Sequence, residues 1–191
     1  MEFQLVFTAL ISLVALTSES PTSAISVVDS VKLDIQAISA KFADINQRLN
    51  DFGNDPWTHL SALLKLEREI ANTTNLIKLK TLTVENVGPL SKDDLKAILP
   101  VFNDLQSSIS KTMKLFIAKK PAMREVPTGP NQKIYPIHQV KVNLDTLLYH
   151  ITEFENALNL PHDPDLRKRF ARIETDIDLA FFEVYKADNH K

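Results

Sequence analysis

The chain has 191 residues, with 22 basic against 24 acidic side chains and no cysteine. This length suits one domain with its own core, and the absence of cysteine excludes disulfides, thiolate metal ligands and cysteine nucleophiles. A net charge this close to zero provides no global field that attracts nucleic acid, so we expect no nucleic-acid partner.

An apolar run near the start predicts a signal peptide over residues 1–24. Residues 3–16 are mostly apolar but too few to span a bilayer comfortably, and small polar residues follow as far as Ala24. The start carries Glu2 and no basic residue, which departs from the usual leader. We expect a secreted chain with no net charge after cleavage. No second run of membrane-spanning length follows, so we expect no transmembrane segment.

Five stretches of three- and four-residue apolar spacing predict five amphipathic helices, separated by glycine and proline. The first covers residues 24–50, ended by Gly53 and Pro56. The second starts near Pro56, which suits a first helical position, and Gly88 and Pro89 end it. The apolar face predicted for the second helix contains Leu60, Leu63, Leu64, Ile70 and Ile77.

The third helix is predicted from Ser91 to about Ala118, with a kink near Pro100 because proline removes a backbone donor. Residues 119–136 contain four prolines and a glycine without periodicity, which predicts the longest connection, either a lid or a spacer. The fourth helix covers residues 137–158. The fifth starts at Pro164 and leads into a polar tail at residues 187–191.

These elements predict an all-α fold. Residues 25–186 form one bundle of five long amphipathic helices, with a central apolar core or cavity.

No catalytic motif is present, and three glycines scarcely allow a phosphate-binding loop. The segment from His162 to Asp165 contains metal-ligand residue types, but the same residues are typical of a helix start. We therefore predict a binding protein rather than an enzyme, with no cofactor and no metal site. The histidines are scattered singly, without the i, i+4 spacing of a zinc helix, at His59, His138, His150, His162 and His190.

The apolar stripes of helices 3, 4 and 5 are the candidate walls of a ligand cavity. For each residue taken singly, simple core is the more ordinary interpretation. The candidates are Phe102, Leu105, Ile109, Met113 and Phe116 on helix 3, Leu147, Ile151 and Phe154 on helix 4, and Phe170, Ile173, Ile177 and Phe181 on helix 5.

Three polar residues are candidates for contact with a ligand headgroup: Glu67, Thr74 and Thr112. The period of helix 2 turns Glu67 and Thr74 towards the apolar side, where an unpaired carboxylate is strongly disfavoured or becomes protonated. Alternatively, Glu67 lies at the edge of the stripe and reaches water or pairs with a basic residue. Asn72-Thr73-Thr74 is also an N-glycosylation sequon, with Asn72 expected on the outside of the helix.

Several features together resemble one known family. They are the leader, a first helix that starts Val27-Val28-Asp29 and continues Ile35-Gln36-Ala37-Ile38, the helix start Ser91-Lys92-Asp93-Asp94, and Lys119-Lys120 after helix 3. This pattern is similar to the fungal hydrophobic surface-binding protein A and cell-wall galactomannoprotein family.

The resemblance implies an all-helical secreted or wall-associated module. Some members enclose fatty acids in a long central cavity, and others adsorb to hydrophobic surfaces. The chain departs from the family in lacking a Ser/Thr-rich wall-anchoring tail, which favours free secretion over covalent wall attachment.

Two activities and one structural role follow as hypotheses. The first is sequestration of a fatty acid or similar lipid between the helices. The second is adsorption to hydrophobic surfaces, in which the helices open on an apolar surface. The third is a structural protein with a fully packed core and an exposed face that binds a protein or a cell-wall polymer.

Overall fold

The computed structural model describes residues 26–52, 56–124, 136–158 and 164–186. The predicted signal peptide and the polar tail at residues 187–191 lie outside these ranges. Within them the chain forms five helices and no strand, so the predicted all-α bundle is confirmed. The helices are α1 (Val27–Asn50), α2 (Pro56–Val87), α3 (Lys92–Arg124), α4 (Pro136–Ala157) and α5 (Pro164–Lys186).

Capping side chains mark the starts of α1 and α3, and a glycine follows the end of α2. Ser26 precedes α1, and its Oγ accepts a hydrogen bond of 3.1 Å from the Asp29 amide. Before α3, the Asp94 amide donates to Ser91 Oγ and the Ser91 amide donates to the Asp94 carboxylate, at 3.2 and 3.0 Å. This reciprocal pair is a capping box. Gly88 follows α2 with φ of 81°, a left-handed conformation that favours glycine.

The third helix is longer than predicted, and the expected end near Ala118 is wrong. α3 continues through Pro121 to Arg124, so Lys119-Lys120 lies inside the helix. A proline in a helix interior costs about 3 kcal/mol. The inward spacing continues past Pro121, however, because Met123 is buried and its burial contributes about 1.5–3 kcal/mol. The predicted connection at residues 119–136 is shortened accordingly, and residues 125–135 lie outside the described ranges.

Polar contacts between helices give their relative directions. Asp34 pairs with Lys80 and Lys41 pairs with Glu69, so α1 and α2 run antiparallel. The hydroxyls of Ser39 and Ser108 lie 2.9 Å apart. Further along the same pair of helices, Lys119 Nζ donates to the carbonyl of Phe52, so α1 and α3 run parallel.

The helices lie side by side in the order α4, α2, α1, α3, α5, and each neighbouring pair in this row packs over a long interface. The row curls around one apolar core, so that its two ends approach each other. α4 and α5, however, touch over only a few residues. The bundle therefore has one weakly packed seam, between α4 and α5.

The buried face of α2 differs from its predicted face at two positions. Leu60 and Leu64 are exposed, whereas Leu63, Ile70 and Ile77 are buried as predicted. Leu66 is buried in their place. The helix contains adjacent leucines at positions 63 and 64, so the apolar spacing alone fits two stripes, and packing against α1 and α4 selects one of them.

Candidate lipid-binding core

All twelve candidate wall residues lie in the apolar core. Each exposes 5% or less of its surface, and most expose 1% or less. Steps of three and four along α3 keep its five candidates on one face, since residues at this spacing lie one above another on a helix. The structure therefore places all twelve inside the bundle.

The candidates on α3 and α5 pack directly against each other. The rings of Phe102 and Phe170 have centroids 5.3 Å apart and are tilted by 49°, a favourable geometry for two phenyl groups. Leu147, Ile151 and Phe154 belong to α4, which packs chiefly on α2 rather than on α5. The candidate walls therefore lie on both sides of the weakly packed seam, with α4 on one side and α5 and its neighbour α3 on the other.

A cleft of about 340 Å³ between α3 and α5 reaches one of the candidates. Met113 and Ile117 line it from α3, and Leu179 and Ala180 line it from α5. Its rim is charged, with Lys114 on one side and Asp176 and Glu183 on the other.

A larger cleft of about 520 Å³ lies where α2 and α4 end, against Gly88 and Pro89. None of the twelve candidates lines the larger cleft.

Thr74 and Thr112 are buried, but both hydroxyl protons already have acceptors. Thr74 Oγ1 donates to the carbonyl of Ile70 at 2.9 Å. Thr112 Oγ1 donates to the carbonyl of Ser108 at 2.9 Å and also faces that of Phe42 at 3.4 Å. The two oxygens can still accept a hydrogen bond. They therefore suit a protonated carboxyl group better than a carboxylate.

Glu67 lies at the edge of the buried face of α2. Partial burial raises the pKa of its carboxyl above the ordinary value. It forms no ion pair with the residues that the structure describes, so the predicted pairing with a basic residue is not observed there. Its position fits the edge of the stripe, and its carboxyl is easier to protonate than that of an exposed glutamate.

Lys120 is a functional candidate that the sequence interpretation did not identify. It is buried, and its Nζ donates to the carbonyl of Val184 on α5 at 2.9 Å. The signal was present, because Lys120 follows Phe116 by four residues and continues the inward stripe of α3. It places a cation beside the apolar core, at the end where α3 and α5 finish.

Asp34 and Glu155 are also buried and were also missed. Asp34 Oδ1 lies 2.6 Å from Lys80 Nζ, which links α1 to α2. Glu155 lies on α4, near the end of the bundle where that helix finishes.

Asn72 is exposed on α2, and Thr74, the third residue of its sequon, is buried. In the described ranges no helix is long and apolar enough to cross a membrane. The same ranges contain no cluster of three or more histidine or acidic side chains arranged to hold a metal ion.

Comparison with known proteins adds two findings. The family model for hydrophobic surface binding protein A matches residues 28–159. The fold is similar to the crystal structure of AfMP4p, a fungal cell-wall galactomannoprotein, in complex with palmitic acid. The TM-score is 0.71 at 19% sequence identity, with 84% of this chain and 98% of that chain covered. No curated protein matches the sequence.

Proposed function

Because this chain belongs to the hydrophobic surface binding protein A family, we propose that it is a secreted, non-enzymatic protein that holds a fatty acid between its helices. The observation that carries the proposal is the stripe of twelve core residues on α3, α4 and α5. AfMP4p, which shares the fold, is described in complex with palmitic acid and gives the chemical class of the ligand.

The energetics of an acyl chain are compatible with this proposal. Burial of about 14 methylene groups contributes roughly 11 kcal/mol. The association itself costs about 4–15 kcal/mol. The balance favours binding only when little core packing has to be broken. The seam between α4 and α5 meets this condition best, because the two helices share few contacts.

The headgroup is proposed to lie at the end of the core that contains Lys120. Lys120 is a buried basic side chain whose Nζ donates to the Val184 carbonyl, and hydrogen bonds from an ammonium to a carboxylate are stronger than those between neutral groups. Thr112 and Thr74 offer acceptors only, and Glu67 carries a negative charge unless protonated. Lys120 therefore supports the orientation of a carboxylate better than the three headgroup candidates drawn from the sequence.

Substitution of the core by tryptophan tests the site. Ile109→Trp and Ile151→Trp fill space on α3 and α4. We expect each to lower the affinity for palmitic acid at least about tenfold, measured by displacement of a fluorescent fatty acid. Overpacking costs about 1–3 kcal/mol of stability, so circular dichroism accompanies each titration. Leu33→Trp, on the exposed face of α1, is the matched control and leaves affinity unchanged. If both folded core variants bind palmitic acid as well as the native protein does, the acyl chain does not occupy this part of the core.

Native mass spectrometry of the secreted protein tests the function independently of any substitution. A stoichiometric fatty-acid adduct supports a carrier. A bare chain that also refuses added palmitic acid contradicts it.

Adsorption to hydrophobic surfaces is the second candidate function, and exposed apolar side chains favour it. Leu64, Leu79 and Phe182 each expose more than half of their surface in the folded bundle. Adsorption through these residues does not require the helices to open. A structural role in the cell wall has no comparable observation in its favour.

A further inference from the structure

The outer face of α2, defined here as its exposed residues between positions 58 and 83, combines leucines with basic side chains. Its four leucines are Leu60, Leu64, Leu79 and Leu82, which expose 37%, 56%, 62% and 56% of their surface. Positions 60 and 82 are about 33 Å apart along a helix. Single exposed leucines are ordinary, but these four form two pairs on one side of α2, Leu60 with Leu64 and Leu79 with Leu82.

Between positions 58 and 83 the exposed charges on α2 are Lys65, Arg68 and Lys78, and no exposed acidic residue lies there. Acidic groups lie only near the far end of the face, where exposed Glu85 follows Leu82 and Glu153 of α4 is close enough to Lys78 to interact with it. Glu69 is turned towards α1, where Lys41 holds it at 3.1 Å, and Glu67 is half-buried. Neither Lys65 nor Arg68 forms an ion pair with another residue that the structure describes.

Other exposed apolar side chains have a different electrostatic setting. Leu179 and Phe182 on α5 expose 53% and 56% of their surface. Their exposed neighbours Asp176, Asp178 and Glu183 are acidic. The positive setting is therefore a property of α2 and does not accompany every apolar patch on the molecule.

We propose that the outer face of α2 docks the folded protein on an anionic lipid surface. Leucine side chains flanked by lysine and arginine are typical of helices that lie at membrane interfaces, where apolar groups enter the acyl boundary and basic groups meet anionic headgroups. Each basic residue near such a surface strengthens binding about fivefold. The docking face lies on other residues than the fatty-acid site and does not depend on it.

Vesicle co-sedimentation tests the proposal. The full chain carries Asn72→Gln, because Asn72 lies on the same face and a glycan there shields it. We expect binding to phosphatidylcholine vesicles that contain about one third phosphatidylserine, and at least about tenfold weaker binding to phosphatidylcholine alone. Raising the salt from about 0.05 M to about 0.5 M weakens the first interaction.

Paired variants locate the surface. Lys65→Gln with Arg68→Gln, and separately Leu64→Ser with Leu79→Ser, are each expected to weaken binding to anionic vesicles at least about tenfold. The control is Leu179→Ser with Phe182→Ser on α5, which changes binding less than about twofold. All these side chains are exposed, so unchanged circular dichroism and melting temperature verify that each variant folds.

Three outcomes overturn the proposal. One is equal binding to neutral and anionic vesicles. Another is an equal loss in the α2 and α5 variants. The third is a loss of adsorption to polystyrene beads in the α2 variants with vesicle binding intact, which assigns the face to solid surfaces. Fatty-acid displacement is measured on the two α2 variants and stays unchanged, so failure of docking and failure of the fatty-acid site are distinguishable.

Discussion

The inward stripe of α3 is not uniformly apolar, and this changes what the core can bind. Lys120 occupies the turn after Phe116, buried and bonded to the Val184 carbonyl. A buried ammonium is retained only where hydrogen bonds offset its desolvation. Such a group gives an otherwise non-directional apolar core a polar end. If an acyl chain occupies the core, Lys120 is the residue that we propose to orient it.

Glu67 makes stability depend on pH. Burial raises the pKa of its carboxyl, so the folded chain binds more protons than the unfolded chain between the two pKa values. The free energy of unfolding therefore falls as pH rises through this interval and remains lower above it. Glu67→Gln removes the effect. We expect this variant to be more stable than the native chain at about pH 7, by less than about 1 kcal/mol because the group is only partly buried and solvent screens its charge.

Urea unfolding at two pH values measures this difference. The two proteins have similar stability at about pH 4, below the ordinary pKa of glutamate. Glu85→Gln, at an exposed position on the same helix, is the control and changes little at either pH. A Glu67→Gln protein that gains nothing between the two pH values contradicts the proposed effect of burial.

Individual residues were predictable from the sequence where apolar spacing was unambiguous. The spacing on α3, α4 and α5 put all twelve candidate wall residues in the core. Lys120 was missed because a charged residue on an apolar stripe is normally assigned to its edge. Leu60 and Leu64 were placed inward because the sequence of α2 fits two adjacent stripes, and only the neighbouring helices distinguish them.

At the scale of the element, α3 shows that a local breaker is overridden by burial. The prolines after Ala118 predict that this helix ends there, but the helix continues and contains both Pro100 and Pro121. Burial of Met123 beyond Pro121 offsets much of the cost of this proline. The proline pattern therefore predicts too early an end for α3, because the inward apolar spacing continues past Pro121 to Met123.

Pro121→Ala is expected to stabilise the protein. Pro121 is exposed, so the substitution leaves the core intact and restores an amide donor to the helix. We expect a gain of about 1–2 kcal/mol, since greater freedom of the unfolded chain offsets part of the helical gain. The melting temperature then rises by about 2–8 °C.

Pro164→Ala is the matched control for this substitution. Pro164 is also exposed, but it occupies the first position of α5, where proline removes no intrahelical hydrogen bond. Differential scanning calorimetry of both variants compares them directly. A similar increase for both would show that the helix interior of α3 has no special cost at position 121.

At the scale of the whole molecule, the apolar pattern of the sequence does not predict which helices are neighbours. All five helices carry similar apolar stripes, so periodicity gives the number of helices and their inward faces but not their neighbours. Contacts such as Ser39 with Ser108 and Asp34 with Lys80 define the row in which α1 is central. The weakly packed seam between α4 and α5 follows from that order, since these helices are its two ends.

This arrangement predicts unequal dynamics. α1 packs over long interfaces with both α2 and α3, whereas α4 and α5 each have one such interface. Elements with fewer buried contacts open at a lower free energy. We therefore expect amide hydrogen exchange to be faster in α4 and α5 than in α1. If an acyl chain occupies the core between them, its contacts add to those that hold the seam closed.

Hydrogen exchange with and without palmitic acid tests this argument. We expect the ligand to slow exchange in α4 and α5 by several-fold and to leave exchange in α1 nearly unchanged. A ligand that binds only the closed bundle raises the free energy of the local openings that would release it. The Ile151→Trp variant is the control, since it fills the proposed site on α4 and shows no response to palmitic acid. Protection that spreads evenly over all five helices would mean that the ligand acts on global unfolding, and the seam would then not be its route.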